Sequence, residues 1–274
     1  MPFLSCWTCD SWGVGLDAFV HCRCAFEGVA SDPPVPFQLT EEGIVCDGTL
    51  PLEDLLLFDQ WLELGCVHGS VHHSVRIANW SGYREFQQSL RRVGSSNFPV
   101  LSSELPEANG GQTSSRSAAE ALKELQTFER SSVRWLTFVL VDGATNEVVA
   151  ERIEPYDGVF IYNGSEGWRA GLTSSGTFLV VEDSDAADNI LFEAASFTEA
   201  YDQGDSWVWT GPDGQEFRTE SPLRVRDSKT PNSGATEFEV RESLRGPEHS
   251  RHVVASLQEI FAASVEIDMP VHWA

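Results

Sequence analysis

Before residue 131, the apolar positions of the chain recur mainly at helical spacing. Leu52, Leu55 and Phe58 lie three residues apart, with Pro51 before them at a helix start and Gly65 after them as a stop. The same kind of pattern predicts helices from about Ser81 to Gly94 and from Ser115 to Arg130. An apolar run at Leu16–Phe26, followed by a proline-containing turn region, predicts a strand.

After residue 131, the apolar positions alternate and turn signals become frequent, which is typical of short antiparallel strands. Strands are predicted at Ser132–Val141, Glu147–Ile153, Gly158–Tyr162, Gly176–Val181, Ser206–Thr210, Gln215–Thr219 and Glu237–Arg241. A final helix is predicted at His252–Val265. The sequence therefore predicts an α+β protein. We expect a helix-rich N-terminal lobe at residues 1–130 and a mainly antiparallel β lobe with a C-terminal helix at residues 131–274.

The charge of the chain is strongly negative. It has 42 Asp and Glu against 18 Lys and Arg, a formal net charge of -24. A field of this sign repels phosphate backbones, so we expect no nucleic-acid binding. It attracts cationic surfaces, so a basic protein is the expected partner. A soluble acidic protein without such a partner would have the same composition.

The chain contains no apolar run long enough to cross a bilayer, and residues 1–15 lack the basic and apolar regions of a signal peptide. We therefore expect a cytoplasmic protein without a membrane partner. In that reducing compartment the six cysteines are expected as thiols or metal ligands and not as disulfides.

Two closely spaced pairs of soft metal ligands are the sharpest chemical signal in the sequence. Cys22 and Cys24 lie in the first predicted strand, which would point both side chains to one face. Cys66 and His68 follow the first predicted helix. The four residues, called the Cys/His cluster below, are predicted to lie close together, where they could hold a structural zinc ion. The alternative is that the cysteines pack as small core residues.

Residues 181–220 form an acidic segment with aromatic residues between the acids. It contains eleven Asp and Glu and one basic residue, Arg218. One interpretation is a surface that docks a basic partner, because aromatic side chains anchor an interface and charges steer it. The residues proposed for it are Asp183, Asp185, Asp188, Tyr201, Asp202, Asp205, Trp207 and Trp209. The other interpretation is that the tryptophans pack inside a sheet whose wet face carries the acids.

No catalytic signature is present in the sequence. It has no Gly-x-Ser-x-Gly elbow, phosphate-binding loop, His-Glu-x-x-His motif or dinucleotide fingerprint. We therefore expect no catalytic residues and no enzymatic activity. The alternative is a metal-dependent hydrolase or transferase that uses the Cys/His cluster.

Several short motifs between residues 20 and 130 occur in an order that resembles a known family. They are His21–Gly28, Phe58–Trp61, Gly65–His68, Ile77–Tyr83 and Leu105–Gly111. The chain resembles an uncharacterised family of bacterial cytoplasmic proteins, some of whose members are similar to polymorphic-toxin immunity proteins. The resemblance implies an acidic, non-catalytic protein that neutralises a basic toxin domain. It assigns no role to the Cys/His cluster.

Overall fold

The computed structural model describes residues 15–40, 43–183, 189–202, 206–220, 222–223 and 235–274. The chain divides into two compact units. The first unit is Met1–Val133 together with Gly246–Ala274, and the second unit is Arg134–Arg245. In the described residues no helix is both long enough and apolar enough to cross a membrane.

The α-helices of the described residues are α1 (Cys24–Glu27), α2 (Leu52–Leu64), α3 (Trp80–Gly94), α4 (Pro99–Glu104), α5 (Ser115–Glu129) and α6 (Arg251–Ile267). The strands of the first unit before residue 134 are β1 (Gly15–His21), β2 (Phe37–Thr40), β3 (Gly43–Cys46), β4 (His72–Asn79) and β5 (Gln112–Thr113). Those of the second unit are β6 (Trp135–Asp142), β7 (Val148–Glu151), β8 (Val159–Asn163), β9 (Trp168–Leu172), β10 (Phe178–Glu182), β11 (Ile190–Ala194), β12 (Ser196–Asp202), β13 (Ser206–Thr210), β14 (Glu216–Thr219) and β15 (Thr236–Arg245). The last strand is β16 (Val271–Trp273).

The main sheet of the first unit is antiparallel, in the order β4-β1-β16-β5. Strand β1 is central and almost entirely buried, which explains why its sequence is a continuous apolar run. Its alternate residues Leu16, Ala18 and Val20 belong to the same hydrophobic core as the buried faces of α3, α5 and α6. Phe19 and His21 lie on the opposite face, because successive side chains of a strand alternate.

The structure divides the chain differently from the predicted boundary at its C-terminal end. Residues 246–274, with the predicted final helix, were expected in the β lobe, but they belong to the first unit as α6 and β16. Val271 of β16 pairs with Val20 of β1, and Leu257 and Phe261 of α6 lie in the core of the first unit. Local periodicity predicts a helix but not which strands the following strand pairs with.

Helix α2 has its own smaller core in the first unit. Phe58 and Trp61 pack there with Val35, Ile44 and Val71. The hairpin of β2 and β3 supplies Ile44 and further partly buried residues to this core. One side of α2 is therefore packed against the chain segments that follow Cys24 and His68 in the sequence.

The second unit contains two antiparallel sheets, in the orders β11-β10-β9-β8 and β14-β13-β12-β15-β6-β7. Both sheets contribute to one core rich in aromatic residues. The ring of Phe178 in one sheet packs against the rings of Phe197 and Trp209 in the other, at centroid distances of 4.8 and 5.4 Å. The predicted α+β class, with helices in the first unit and antiparallel strands in the second, is confirmed.

Candidate metal centre

Cys22 and Cys24 lie at the exit of the central strand of the first unit, and not within the strand as predicted. Strand β1 ends at His21, and Cys24 is the first residue of the single-turn helix α1. Gly28 ends this turn with a φ of 67°, a left-handed conformation that glycine adopts without strain. The prediction that a strand aligns the two thiols is wrong, because the chain leaves the strand and turns. Both cysteines are nevertheless buried in the core of the first unit.

Cys66 and His68 lie immediately after helix α2, as predicted. The helix ends at Leu64, and the Gly65 N–H donates to the Trp61 carbonyl. Gly69, with a φ of 99°, follows the two ligands and donates its N–H to the Cys66 carbonyl over 3.3 Å. This turn needs glycine because an L side chain would be strained at that φ.

Backbone hydrogen bonds connect the two ligand segments. Cys22 N–H donates to the Val71 carbonyl over 2.8 Å, and Val71 N–H donates to the Leu62 carbonyl over 2.8 Å. Ser31 N–H donates to the Gly65 carbonyl, also over 2.8 Å. The segment after β1 and the segment after α2 are therefore fixed to each other by groups outside the Cys/His cluster.

The ligand atoms of the Cys/His cluster all lie within 4.8 Å of one another, so the prediction that the four residues converge is confirmed. Nδ1 of His68 lies 3.3 Å from Sγ of both Cys22 and Cys24. In a tetrahedral zinc site, zinc–ligand distances near 2.3 and 2.0 Å separate sulfur from nitrogen by about 3.6 Å. The separation of the His68 nitrogen from these two sulfur atoms is therefore already close to that of a zinc site.

The protonation of the Cys22 thiol depends on whether a cation is present. Burial, together with smaller contributions from the neighbouring thiols of Cys24 and Cys66, raises the pKa of the Cys22 thiol to about 12, although a backbone hydrogen bond at Cys24 acts in the opposite direction. Cys66 Sγ donates to the Ser70 carbonyl over 3.1 Å. A bound divalent cation would reverse this preference, because it stabilises coordinated thiolates.

The donor set limits the chemistry of the cluster. Among the residues that the structure describes, this is the one group of at least three Cys, His, Asp or Glu side chains found that could hold a metal ion. Three thiolates and one imidazole suit a borderline-soft ion. Because the set supplies four protein ligands, a tetrahedral ion bound there would have no open position for a substrate.

A second group of titratable side chains lies close by and was missed at the level of sequence. His21, His72 and His272 lie with Phe19 on the sheet face opposite α3, α5 and α6, and we call the three histidines the histidine cluster. Nδ1 of His21 and Nδ1 of His72 are 3.3 Å apart, and the His21 and His272 ring centroids are 5.5 Å apart. The sequence signal that could have revealed this cluster is the alternation of side chains in β4, a strand that was not predicted.

Burial keeps the histidine cluster uncharged at neutral pH. Burial, together with smaller contributions from the nearby His73 and His272, lowers the pKa of His72 to about 4. It also lowers the pKa of His21 to about 3 and that of His272 below its usual value.

We therefore expect His72 to remain neutral at pH 6 in the folded protein, whereas an unfolded histidine is then largely protonated. The pKa of His72 is lower in the folded protein than in the unfolded chain. The contribution of His72 to the free energy of unfolding is therefore complete above about pH 6.5 and decreases as pH falls towards 4. A long-range ¹H–¹⁵N NMR titration of the imidazole nitrogens measures this directly. The same protein in denaturant serves as the control. A folded-state midpoint for His72 near 6.5 would contradict the prediction.

The acidic segment of the second unit is only partly presented to solvent. Tyr201 is 41% exposed, and its ring lies 5.2 Å from that of half-buried Trp207. Asp202 accepts a 2.6 Å hydrogen bond from Arg218, and Asp183 accepts one from the Tyr162 hydroxyl. Of the other positions proposed for this surface, three lie outside the described residues: Asp185, Asp188 and Asp205.

Trp209 does not belong to a surface. It is fully buried, and its Nε1 donates to the buried Glu199 carboxylate over 2.9 Å. Trp207 and Trp209 share one face of β13, but Trp209 lies where that face meets the other sheet of the unit. For this residue, the interpretation that a tryptophan packs inside the β core is correct.

No protein-family model matches the chain, and no match was found among curated proteins or among solved structures. The resemblance to immunity proteins therefore stays a prediction.

Proposed function

We propose that this chain is an acidic, non-catalytic binding protein of the cytoplasm that neutralises a basic toxin domain. In this proposal a structural zinc ion is bound by the Cys/His cluster. The observation that supports the structural role most directly is the convergence of four protein ligand atoms within 4.8 Å. The net charge of -24 supports a cationic partner.

The alternative of a metal-dependent hydrolase or transferase requires an open coordination position. His68 is exposed, so solvent reaches one side of the cluster, but the fourth ligand leaves no position for substrate. A non-catalytic metal is therefore the better-supported function. The reducing cytoplasm, the compartment we propose, would keep the three thiols available as ligands.

The proposed partner surface of the second unit comprises Tyr201, Trp207, Asp202 and Asp183, without Trp209. The Tyr201 and Trp207 rings provide apolar area beside carboxylates. The carboxylates would attract a cationic surface at long range, and the two aromatic rings would then contact it. Arg218, which donates to Asp202, would compete with cations of the partner for that carboxylate.

The test is co-expression with the product of the neighbouring gene. We expect that product to stop growth when expressed alone and to be harmless when this protein is present. Binding of the purified pair should weaken by about tenfold or more as salt rises from about 0.05 to about 0.5 M, because screening shortens the reach of surface charges. A harmless product, or binding that is insensitive to salt, would argue against the proposal.

A further inference from the structure

Helix α2 exposes an apolar face that the core of the first unit does not use. Its inner side buries Phe58 and Trp61. Its outer side carries four leucines that are between 48% and 69% exposed. We call them the leucine face: Leu52, Leu56, Leu57 and Leu64. An outer helix surface is normally polar, so four exposed leucines in 13 residues indicate a surface that binds something.

Acidic residues lie among these leucines. Glu53, Asp59 and Glu63 are exposed on the same helix. Because an α-helix rotates by about 100° per residue, these acids lie on the same outer half of α2 as the leucine face. From residue 24 to residue 75 the sequence has nine Asp and Glu and no Lys or Arg. Burial and the neighbouring Glu63 raise the pKa of Asp59, as expected where carboxylates lie close together on one surface.

The negative charge around the leucine face limits which partners could bind it. A second copy of the chain would bring the same carboxylates against themselves, because a symmetric dimer apposes identical surfaces. An anionic lipid surface would be repelled in the same way. Residues 1–14 contain one Asp and no Lys or Arg, so they do not complement the face either. A segment that combines apolar side chains with Lys or Arg complements both features.

We propose that the leucine face docks an apolar segment flanked by Lys or Arg on the basic partner, an inference that rests on the proposed function for the existence of that partner. The leucines bury against the apolar side chains of the segment, and Glu53, Asp59 and Glu63 face its cations. Both contacts come from one rigid helix, which lowers the ordering cost of binding.

The position of α2 connects this surface to the Cys/His cluster. The helix ends at Leu64, two residues before Cys66, and the Gly65 carbonyl is held by Ser31. Trp61 Nε1 donates to the Ser31 carbonyl over 2.8 Å, so the last turn of α2 is bonded to the segment that follows Cys24. The ligand segments thus fix the C-terminal end of the docking helix.

The first experiment uses a labelled synthetic amphipathic peptide of leucine and lysine, with both ends blocked, as the probe. Fluorescence anisotropy measures its Kd for the full-length protein. Two further peptides keep the spacing and replace either leucine with serine or lysine with glutamate. We expect the leucine–lysine peptide to bind at least about tenfold more tightly than either of them, because apolar area and opposite charge are both required. Equal binding of the glutamate peptide would overturn the proposal.

The second experiment compares leucines of matched exposure. The double variant Leu57→Gln with Leu64→Gln should weaken binding of the leucine–lysine peptide by about tenfold or more. Leu244→Gln is the control, because Leu244 and Leu64 are both 69% exposed but Leu244 lies on β15 of the second unit. These changes are on the surface, so thermal unfolding and metal content should stay as in the original protein. Binding of the peptide by the double variant as tightly as by the original protein would contradict the docking site.

Other occupants give distinct results. Dimerisation that sedimentation equilibrium detects, and that the double variant abolishes, would identify a second copy and overturn the proposal. A large gain in peptide affinity on deletion of residues 1–14 would identify that segment as the occupant of the leucine face and would also overturn the proposal. If the double variant still neutralises the toxin, the docking face is wrong and the proposed function stands. If the peptide results hold but no neighbouring product is toxic, the docking face stands and the toxin assignment fails.

Discussion

Removing the metal from the purified protein is expected to lower the free energy of unfolding of the first unit by about 4 kcal/mol, relative to protein with free zinc at about 1,000 times its Kd. The reason is that only the folded chain brings the ligand atoms of Cys22, Cys24, Cys66 and His68 within 4.8 Å. An ion held by these residues would therefore bind the native state in preference to the unfolded one. For a unit of this size, the loss corresponds to a fall in Tm of about 8–16 °C.

The measurement is thermal unfolding with and without a chelator, together with metal analysis of the native protein. We expect one zinc ion per chain. Cys66→Ser should abolish stoichiometric zinc and the effect of the chelator. Cys46→Ser is the matched control, because Cys46 is also a half-buried cysteine of the first unit but is not in the Cys/His cluster. Equal zinc content and equal chelator sensitivity in the two variants would contradict a site at Cys66.

The second large effect is expected in the second unit. Phe178→Ala should lower its free energy of unfolding by about 3–5 kcal/mol. Phe178 is fully buried, and its ring lies within 6.4 Å of those of Phe192, Phe197 and Trp209. Alanine would leave a cavity between the two sheets and remove these aromatic contacts.

Hydrogen exchange followed by mass spectrometry measures this prediction, because it reports the second unit separately from the first. Peptides from residues 134–245 should lose protection, and zinc content should not change. Phe178→Leu is the control and should cost less, since leucine keeps most of the buried apolar surface. An equal cost for both substitutions would contradict this expectation, and would show that the site requires the aromatic ring itself and not only buried apolar area.

The local elements could be predicted where one period dominates a segment with a clear stop. Helix α3 ends at Gly94 as predicted, and α5 begins at Ser115 as predicted. Strand β13 has the predicted bounds of Ser206–Thr210. These segments carry their own signals, because helix caps, turn glycines and alternation act over a few residues. Strand β4 was missed because its two leading histidines hide the alternation that follows.

The candidate metal centre was predictable as a set of residues but not as a geometry. Soft ligands at short spacing identify Cys22, Cys24, Cys66 and His68 without any structure. The expected strand geometry at Cys24 was wrong, since that residue begins α1. The histidine cluster requires the pairing of β1 with both β4 and β16, and these strands are far apart in the chain.

The sequence by itself determined the α+β class, the change of period near residue 131, the negative charge and the two ligand pairs. Each of these depends on composition or on neighbours within a few residues. Only the tertiary structure decided that β16 returns to β1, that Trp209 is buried between two sheets, and that α2 turns its leucines outward. Those outcomes depend on which surfaces meet across the chain, and local periodicity does not specify its partner.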